Sequence, residues 1–500
     1  MKPTTTLSNI LQAATKNLVS LSLVLLFATA NSVAMSSQST REPVTRTSVE
    51  LRIGGVPSDG IICFRLNLSS VTAKAANGRT TALVSQPLTV EVMHLAGASE
   101  PVVLGSLPQG RYTDVAIAAN GARVTSLDPV TGLLVTKQLS ASYNTTIHFQ
   151  PVLTVDDNPV VLDLQVNPAN LVNAVGMGNN GIRNVAQIFR INATRLNASV
   201  QRKLAKGTAD RIVGSVTNIS ARSLTVINGQ TSAALIFRVD HNTRFYGASL
   251  STLKRLIVVV RSRTDRNGFL VATDVEALEN SNGAVMDGIA TGYIPDSNLV
   301  TLASQDGSGS GMKSSIVGSG ISVDPSQNPN FVVDAHDVDM TGLESLQFDA
   351  NSLVLGQHLQ LQSMRAIQRD SNGNAARVAP ETVRLEPQTL AGTVTNYQPG
   401  TTPGTFTFDL VFATNASMNS LNPFFYTMHV YQQRGTDTQS MPTGIGNGAT
   451  VRVWGLVFYS QLPQGSSNIK AMRGSVQRFL VRQQQEPAFI MVAGRISGNQ

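Results

Sequence analysis

The segment Gly214-Ser215-Val216-Thr217 recurs in form three more times, as Gly288-Ile289-Ala290-Thr291, Gly392-Thr393-Val394-Thr395 and Gly494-Arg495-Ile496-Ser497. Each of the four segments places a glycine before a short run of β-prone residues. Their starts lie 74, 104 and 102 residues apart, which is enough chain for one small barrel or sandwich. The spacing therefore predicts a series of consecutive β modules.

The bulk composition agrees with several extracytoplasmic domains. A chain of 500 residues exceeds what one hydrophobic core supports, about 250–300 residues. Charged residues make up only 14% of the chain, below the roughly 25% of average soluble domains, and the net charge of +7 is modest for this length. Cys63 is the single cysteine, so an intrachain disulfide and a thiolate metal cluster are excluded.

The N-terminus has the three parts of a secretory signal peptide. Lys2 and Lys16 precede the uncharged apolar run 18–30, and small residues follow at Ala28-Thr29-Ala30 or Ser32-Val33-Ala34. This pattern predicts a cleaved leader over residues 1–34. The alternative is a retained membrane anchor, which needs about 20 apolar residues, more than this run contains.

Short β-prone runs separated by turn residues predict a β-sandwich over residues 48–175. In Val160–Val166 every second residue is apolar, as in a strand with one buried face. Residues 176–207 are expected to form a linker with one strand, Val185 to Thr194. Six basic residues and no acidic residue lie between Arg183 and Lys206, which favours a solvated connector or a contact with an anionic partner.

Three barrels are predicted after the linker, over 208–280, 283–388 and 389–482. Asn228-Gly229 and Asn267-Gly268 in the first are strong hairpin signals. The second contains a Gly/Ser-rich loop, 307–320. Residues 483–500 are expected either to add a strand to the third barrel or to begin an incomplete repeat.

Two resemblances accompany these patterns. The run Gly105 to Tyr112, with its Gly110-Arg111-Tyr112 turn, resembles an uncharacterised sandwich family of exported bacterial proteins. The order of strands and turns after Thr208 is similar to a second uncharacterised bacterial family, whose repeats are small five-stranded barrels of OB-like shape. Neither family has an established activity. The resemblances imply an all-β chain: a sandwich followed by three OB-like barrels.

Local motifs do not predict a catalytic, cofactor or metal site. The segment 176–181 has the form G-x-G-x-x-G, but the residues after it are β-branched and arginine-rich where a dinucleotide fold needs a helix. Asp334 to Asp339 contains three aspartates and His336, whose side chains alternate between the two faces of a strand and so do not converge on one ion.

Aromatic and arginine side chains provide the candidate polymer-binding residues, since barrels of this type bind linear polymers by stacking and charge. The candidates are Phe245, Tyr246, Arg261, Arg263, Tyr431 and Trp454, with Phe424-Phe425-Tyr426 as a further aromatic run. The alternative is that the aromatic rings are core residues and the arginines only solvate an outer face.

The sequence therefore favours an exported, non-enzymatic protein of the bacterial cell envelope, periplasmic, surface-bound or secreted. Its expected work is adhesion, scaffolding or binding of a polymer such as an envelope glycan, or contact with another envelope protein. One alternative is a hydrolase of polysaccharide or peptidoglycan with dispersed active groups. A second is nucleic-acid binding through the barrels, which export makes less favourable.

Overall fold

The computed structural model describes residues 45–56, 61–94, 99–127, 134–168, 188–196, 211–280, 283–294, 299–309, 318–335, 338–343, 346, 348–350, 352–353, 356–369, 371, 375–412, 427–440, 444–459 and 489–498. The expected leader 1–34, the segment 176–181 and the run 424–426 lie outside these residues. The described chain is all-β, a sandwich followed by three closed five-stranded barrels, which confirms the predicted fold class. Among the described residues no helix has the length and apolar character needed to cross a bilayer.

The sandwich has two sheets whose inner faces share one core. Its strands are β1 (Arg46–Gly55), β2 (Ile61–Ala75), β3 (Thr80–Val84), β4 (Leu88–Glu91), β5 (Ser99–Pro108), β6 (Gly110–Leu127), β7 (Leu134–Val155), β8 (Val160–Val166) and β9 (Phe189–Arg195). One sheet has the order β5-β1-β8-β9, and the other has β3-β2-β6-β7 with β4 beside β2. Strand β9 comes from the expected linker and extends the first sheet, pairing antiparallel with β8.

The three barrels have one topology. Their strands are β10 (Ile212–Ser220), β11 (Ser223–Asn228), β12 (Ala234–Arg238), β13 (Arg244–Tyr246), β14 (Leu256–Thr264) and β15 (Leu270–Asn280); β16 (Ala284–Ile294), β17 (Leu299–Gly309), β18 (Gly320–Val323), β19 (Asn330–Val333), β20 (His358–Arg369) and β21 (Ala375–Leu385); and β22 (Gln388–Pro399), β23 (Phe406–Phe412), β24 (Thr427–Ser440), β25 (Thr450–Tyr459) and β26 (Phe489–Gly498). In the first two barrels the short strands β13 and β19 lie beside the fifth strand, outside the closed ring.

Within each ring, strands one, two and three form an antiparallel meander, and strand four pairs with strand one. The fifth strand pairs antiparallel with the fourth and parallel with the third, which closes the barrel. This connectivity is that of an OB-like Greek-key barrel. The third barrel takes its fifth strand from β26, so the last glycine segment of the sequence closes this barrel instead of opening a new unit.

The repeated glycines permit a close approach of two strands in each barrel. A Cβ atom on the first-strand glycine would lie closer than 3.0 Å to a carbonyl oxygen of the second strand: Gly214 against Ile227, Gly288 against Ala303, and Gly392 against Val411. Because these neighbours are backbone atoms, they have little freedom to move away. The recurring glycine thus reflects the same steric requirement three times.

Buried ion pairs, and apolar clusters with residues from two modules, join the modules to each other. Arg211 precedes the first barrel and contacts Asp287 and Glu386 of the second, at 3.2 and 2.7 Å. Burial opposes the charge of Arg211, but the two carboxylates raise the pKa of its guanidinium above the ordinary value. The first two barrels therefore share a buried polar contact.

Barrels two and three share an apolar contact. Leu456, Phe458 and Val492, on the outer surface of the third barrel, belong to the same cluster as the core of the second. Three further residues, Val338, Leu353 and Phe331, from the connection between the third and fourth strands of the second barrel, also belong to it. The outside of one barrel therefore completes the packing of the next.

Candidate polymer-binding faces of the barrels

The outer surface of strands two and three is the candidate binding face, because OB-like barrels hold oligosaccharides and oligonucleotides there. The three barrels are aligned on the second-strand residue whose carbonyl oxygen lies against the repeated glycine. On this register the second-strand positions Ile227, Ala303 and Val411 correspond to each other. We call the outer surface around each of them the strand 2–3 face of that barrel.

In the middle barrel this face is covered by the sandwich. Ala303 is fully buried in a cluster with Ile62 and Cys63 of β2. The Gln305 Nε2 atom donates to the Ile62 carbonyl at 2.9 Å, and the Thr125 hydroxyl donates to the Gly318 carbonyl at 2.7 Å. This face is therefore a contact between modules and is closed to a ligand.

In the third barrel the same face is open and carries a connected polar row. His429 Nδ1 lies 2.9 Å from Asp409 Oδ1, on directly opposed positions of β24 and β23. The Asn396 Nδ2 atom donates to the other carboxylate oxygen, Asp409 Oδ2, at 2.6 Å. The Tyr431 ring meets the His429 ring edge-on, with centroids 5.0 Å apart and planes at 88°.

Alternation along the strands explains this placement. Phe408 and Leu410 point into the barrel and are fully buried, so Asp409 between them points outward. The His429 and Asp409 side chains keep 35% and 25% of their surface exposed. The row therefore offers a ring, a carboxylate and an amide to solvent.

A β-bulge orients the Asn396 amide of the polar row toward Asp409. The register of β22 against β23 shifts between Thr395 and Gln398, and Asn396 within it has a φ of 51°. Asparagine tolerates this left-handed conformation better than most side chains do. Bulges next to functional sites commonly redirect one side chain in this way, and here the redirected group is the amide that binds Asp409.

The first barrel also has an exposed face, of different chemistry. The Arg238 guanidinium lies over the Phe269 ring, 3.2 Å from its centroid, and Ile236 beside it is 55% exposed. Arg238 and Arg263 flank Val271 in one row across three strands. Their charges are partly balanced by two aspartates: Asp265 lies 3.8 Å from Arg238, and Asp240 lies 3.7 Å from Arg263.

Of the sequence candidates in the first barrel, only Arg263 lies on this face. Phe245 packs against the core of the barrel, and Tyr246 is half-buried on the short strand β13. Arg261 is only 7% exposed and contacts Asp334 of the second barrel at 2.7 Å. Arg261 is therefore held in the contact between the two barrels, whereas the Arg263 side chain is 38% exposed, so the two arginines do not form one open face.

The two candidates in the third barrel are separated as well. Tyr431 belongs to the polar row, whereas Trp454 packs against the cluster shared with the second barrel and has the Arg495 guanidinium 5.6 Å from its ring centroid. Phe245, Tyr246, Tyr431 and Trp454 therefore do not form one aromatic surface. Sequence reasoning missed Asp409, His429 and Asn396, since their signal is a strand pairing and not a local motif.

A second polar cluster lies at the junction of the sandwich with two barrels. His94 Nδ1 is 3.1 Å from Glu91, and His94 Nε2 is 3.8 Å from Glu100. Burial lowers the pKa of His94, but the hydrogen bonds with Glu100 and Glu91 outweigh it, so the pKa is raised overall. Burial raises the pKa of the nearby Asp306 to about 7.

The described residues contain no group of three His, Cys, Asp or Glu side chains arranged to hold a metal ion. The aspartate-rich segment at 334–339 contributes Asp334, whose partner is Arg261, while His336 and Asp337 lie outside the described residues.

Comparison with known proteins adds a distant structural similarity. No protein-family model matches the chain, and no curated protein matches it. A crystal structure of a multidomain protein with nucleic acid binding domains from Streptococcus pneumoniae aligns with 57% of this chain and 72% of its own, at 11% identity and a TM-score of 0.09. A similarity at this level supports no argument about function.

Proposed function

We propose that the protein is an exported, non-enzymatic component of the bacterial cell envelope that binds a polymeric glycan on the strand 2–3 face of its third barrel. The observation that carries the proposal is the exposed row of Asn396, Asp409, His429 and Tyr431. Sugars present hydroxyl groups and apolar ring faces. A carboxylate, an amide and an aromatic ring are suited to these two features.

The charge on this face favours a glycan over a nucleic acid. Asp409 keeps a quarter of its side-chain surface exposed, and a carboxylate there repels a polyanion. Nucleic-acid binding rests instead on the arginines of the first barrel, which already have aspartates nearby. That alternative predicts an affinity that falls steeply with salt concentration.

The row also favours binding over hydrolysis. Most glycoside hydrolases use two carboxyl groups that flank the scissile bond. In the described part of the third-barrel face, Asp409 is the carboxylate of the row, and both its oxygens already accept hydrogen bonds. A hydrolase mechanism would need a second acidic group brought to this place.

Export is supported by the leader-like pattern of residues 1–34 and by the resemblance to two families of exported bacterial proteins. Removal of residues 1–34 should leave the protein in the cytoplasm of a producing bacterium, whereas the full chain should be found in the periplasm, on the surface or in the medium. Cell fractionation tests this part. A full chain that stays cytoplasmic would contradict it.

Co-sedimentation with purified peptidoglycan tests the binding part. Tyr431→Ala should weaken the apparent affinity about fivefold, because ring contacts of this kind are worth about 1 kcal/mol. Phe269→Ala, which removes an exposed ring from the first barrel, is the matched control and should change nothing. Equal loss in both variants, or steady release of soluble fragments from labelled peptidoglycan, would contradict the proposal.

A further inference from the structure

The sandwich contains a cavity that is lined by sandwich residues and lies apart from the barrel faces described above. It lies where the β2–β3 hairpin meets the turn between β5 and β6, and its volume is about 230 Å³. The described lining residues are Ala75, Ala76, Asn77, Arg79, Thr81, Pro108, Gln109, Gly110, Arg111 and Tyr112. Pockets for organic ligands usually measure about 300–1,000 Å³, so this one suits a small charged group better than an extended chain.

Two arginines border this cavity without a counter-charge. The guanidinium groups of Arg79 and Arg111 have no hydrogen-bond or ion-pair partner among the described residues, and both side chains are exposed. Asp and Glu are absent from the described lining. The nearby Asp157 carboxylate accepts a hydrogen bond from Gln109 Nε2 at 2.7 Å. By contrast, Arg238 and Arg263 in the first barrel each have an aspartate beside them.

Two glycine turns bring the arginines to the same place. Gly78 has a φ of 82° and Gly110 a φ of 149°, both conformations that side chains rarely adopt. The Ala76 N–H donates to the Arg111 carbonyl at 2.8 Å, which ties the two turns together. The two turns thus place Arg79 and Arg111 on the border of the same cavity.

The floor of the cavity is the buried Tyr112. Its hydroxyl donates to the Pro108 carbonyl at 2.8 Å, so the ring is held in place. Burial raises the pKa of Tyr112, and the positive charges of Arg46 and Arg79 act against that rise. Of the two arginines that line the cavity, Arg79 thus acts electrostatically on Tyr112.

We propose that this cavity binds the phosphate group of a small phosphate ester. Each guanidinium presents paired N–H donors that match the oxygens of a phosphate. The amides of Asn77 and Gln109 and the hydroxyl of Thr81 line the remaining wall and are able to donate to further oxygens. This site lies on another module from the third-barrel row and does not depend on the proposed glycan binding.

Isothermal titration of the full chain with sn-glycerol 3-phosphate at low salt tests the site. The parent protein should bind, and Arg79→Gln with Arg111→Gln should weaken binding at least about tenfold, as expected when charge-assisted hydrogen bonds are lost. The matched control is Arg190→Gln with Lys137→Gln. It removes the same charge from exposed sandwich residues that have no partner among the described residues, and it should keep the parent affinity.

Three results would overturn the site: no binding by the parent, equal weakening in the control pair, or equally tight binding of acetate, which would show only general attraction of anions. Vesicles of phosphatidylglycerol form a separate arm. Binding to these vesicles without binding to glycerol phosphate would also overturn the proposal, because it would point to a membrane surface. Thermal melts of both double variants should match the parent, so that a loss of affinity reports the site.

Discussion

The middle and third barrels share one topology, yet their strand 2–3 faces have opposite environments. Ala303 and Val411 occupy equivalent positions opposite the repeated glycine. Ala303 is fully buried against the sandwich, whereas Val411 is 36% exposed. The barrel topology therefore does not determine whether the outer face is buried or exposed. The side chains on that face determine whether it packs against a neighbouring module.

The side chains on the two faces fit these roles. The middle barrel presents the small Ala303 and Gly320 at opposed positions, which lets the sandwich approach closely. At the equivalent second-strand position the third barrel has Val411, and Asp409 and His429 lie next to it on the same face. One face is shaped for contact between modules, and the other keeps polar groups in solvent.

Introducing arginine at positions 303 and 411 should give the largest difference in unfolding free energy between the covered face and the exposed face. Ala303→Arg buries an unpaired charge and overfills the contact, and should lower the free energy of unfolding by about 4 kcal/mol. Val411→Arg extends into solvent and should change it by less than about 0.5 kcal/mol. Urea denaturation of both variants measures the difference.

Should Ala303→Arg fail to yield folded protein, Ala303→Leu tests the same contact without adding a charge. It should still cost about 2 kcal/mol by overpacking. Similar stabilities for the Ala303 and Val411 variants would mean that the sandwich does not cover the middle barrel.

The repeated glycines should behave alike in both barrels, because their constraint is internal. Gly288→Ala and Gly392→Ala each force a Cβ atom against a carbonyl oxygen of the second strand and should each cost about 2 kcal/mol. Gly446→Ala is the control, since a Cβ there would meet nothing within 4 Å. A large cost at one repeated glycine and none at the other would break the equivalence of the two barrels.

The sequence predicted the features that repeat and are local. Glycine segments, β-prone runs and hairpin turns such as Asn267-Gly268 were sufficient for an all-β chain with a sandwich and three barrels. These patterns depend on backbone sterics within one module, so they can be read without knowing the neighbours. The continuation of the first sheet by Phe189–Arg195 was not predicted, because it depends on a long-range pairing.

The candidate site was harder to predict, because contacts between modules remove some candidate residues and long-range strand pairing brings others together. Arg261 and Trp454 are residue types common on binding surfaces, but Arg261 is paired with Asp334 and Trp454 packs on the second barrel. Conversely, Asp409 and His429 lie 20 residues apart, and only strand pairing brings them together. Composition cannot distinguish an arginine at a module contact from one at an open face.

The smallest expected effect is a pH dependence of the unfolding free energy that arises at Asp306, on the covered side of the middle barrel. Asp306 lies on β17, and burial raises its pKa to about 7, with Asp287 and Glu100 adding to the rise and His94 opposing it. In the unfolded chain this carboxyl loses its proton near the ordinary aspartate pKa of 3.8. The folded state therefore binds one more proton between about pH 4 and pH 7, and stability contributed by the neutral form is lost as the pH rises through this window.

Asp306→Asn removes this titration while keeping the size of the side chain. Between pH 6 and pH 8 the parent should lose about 1–2 kcal/mol more unfolding free energy than the variant. His94, whose raised pKa also makes stability fall with rising pH, remains in both proteins, so the difference between the two urea series isolates Asp306. Parallel pH profiles would show that Asp306 is solvated, and that the sandwich leaves this end of the middle barrel as open as the third-barrel face.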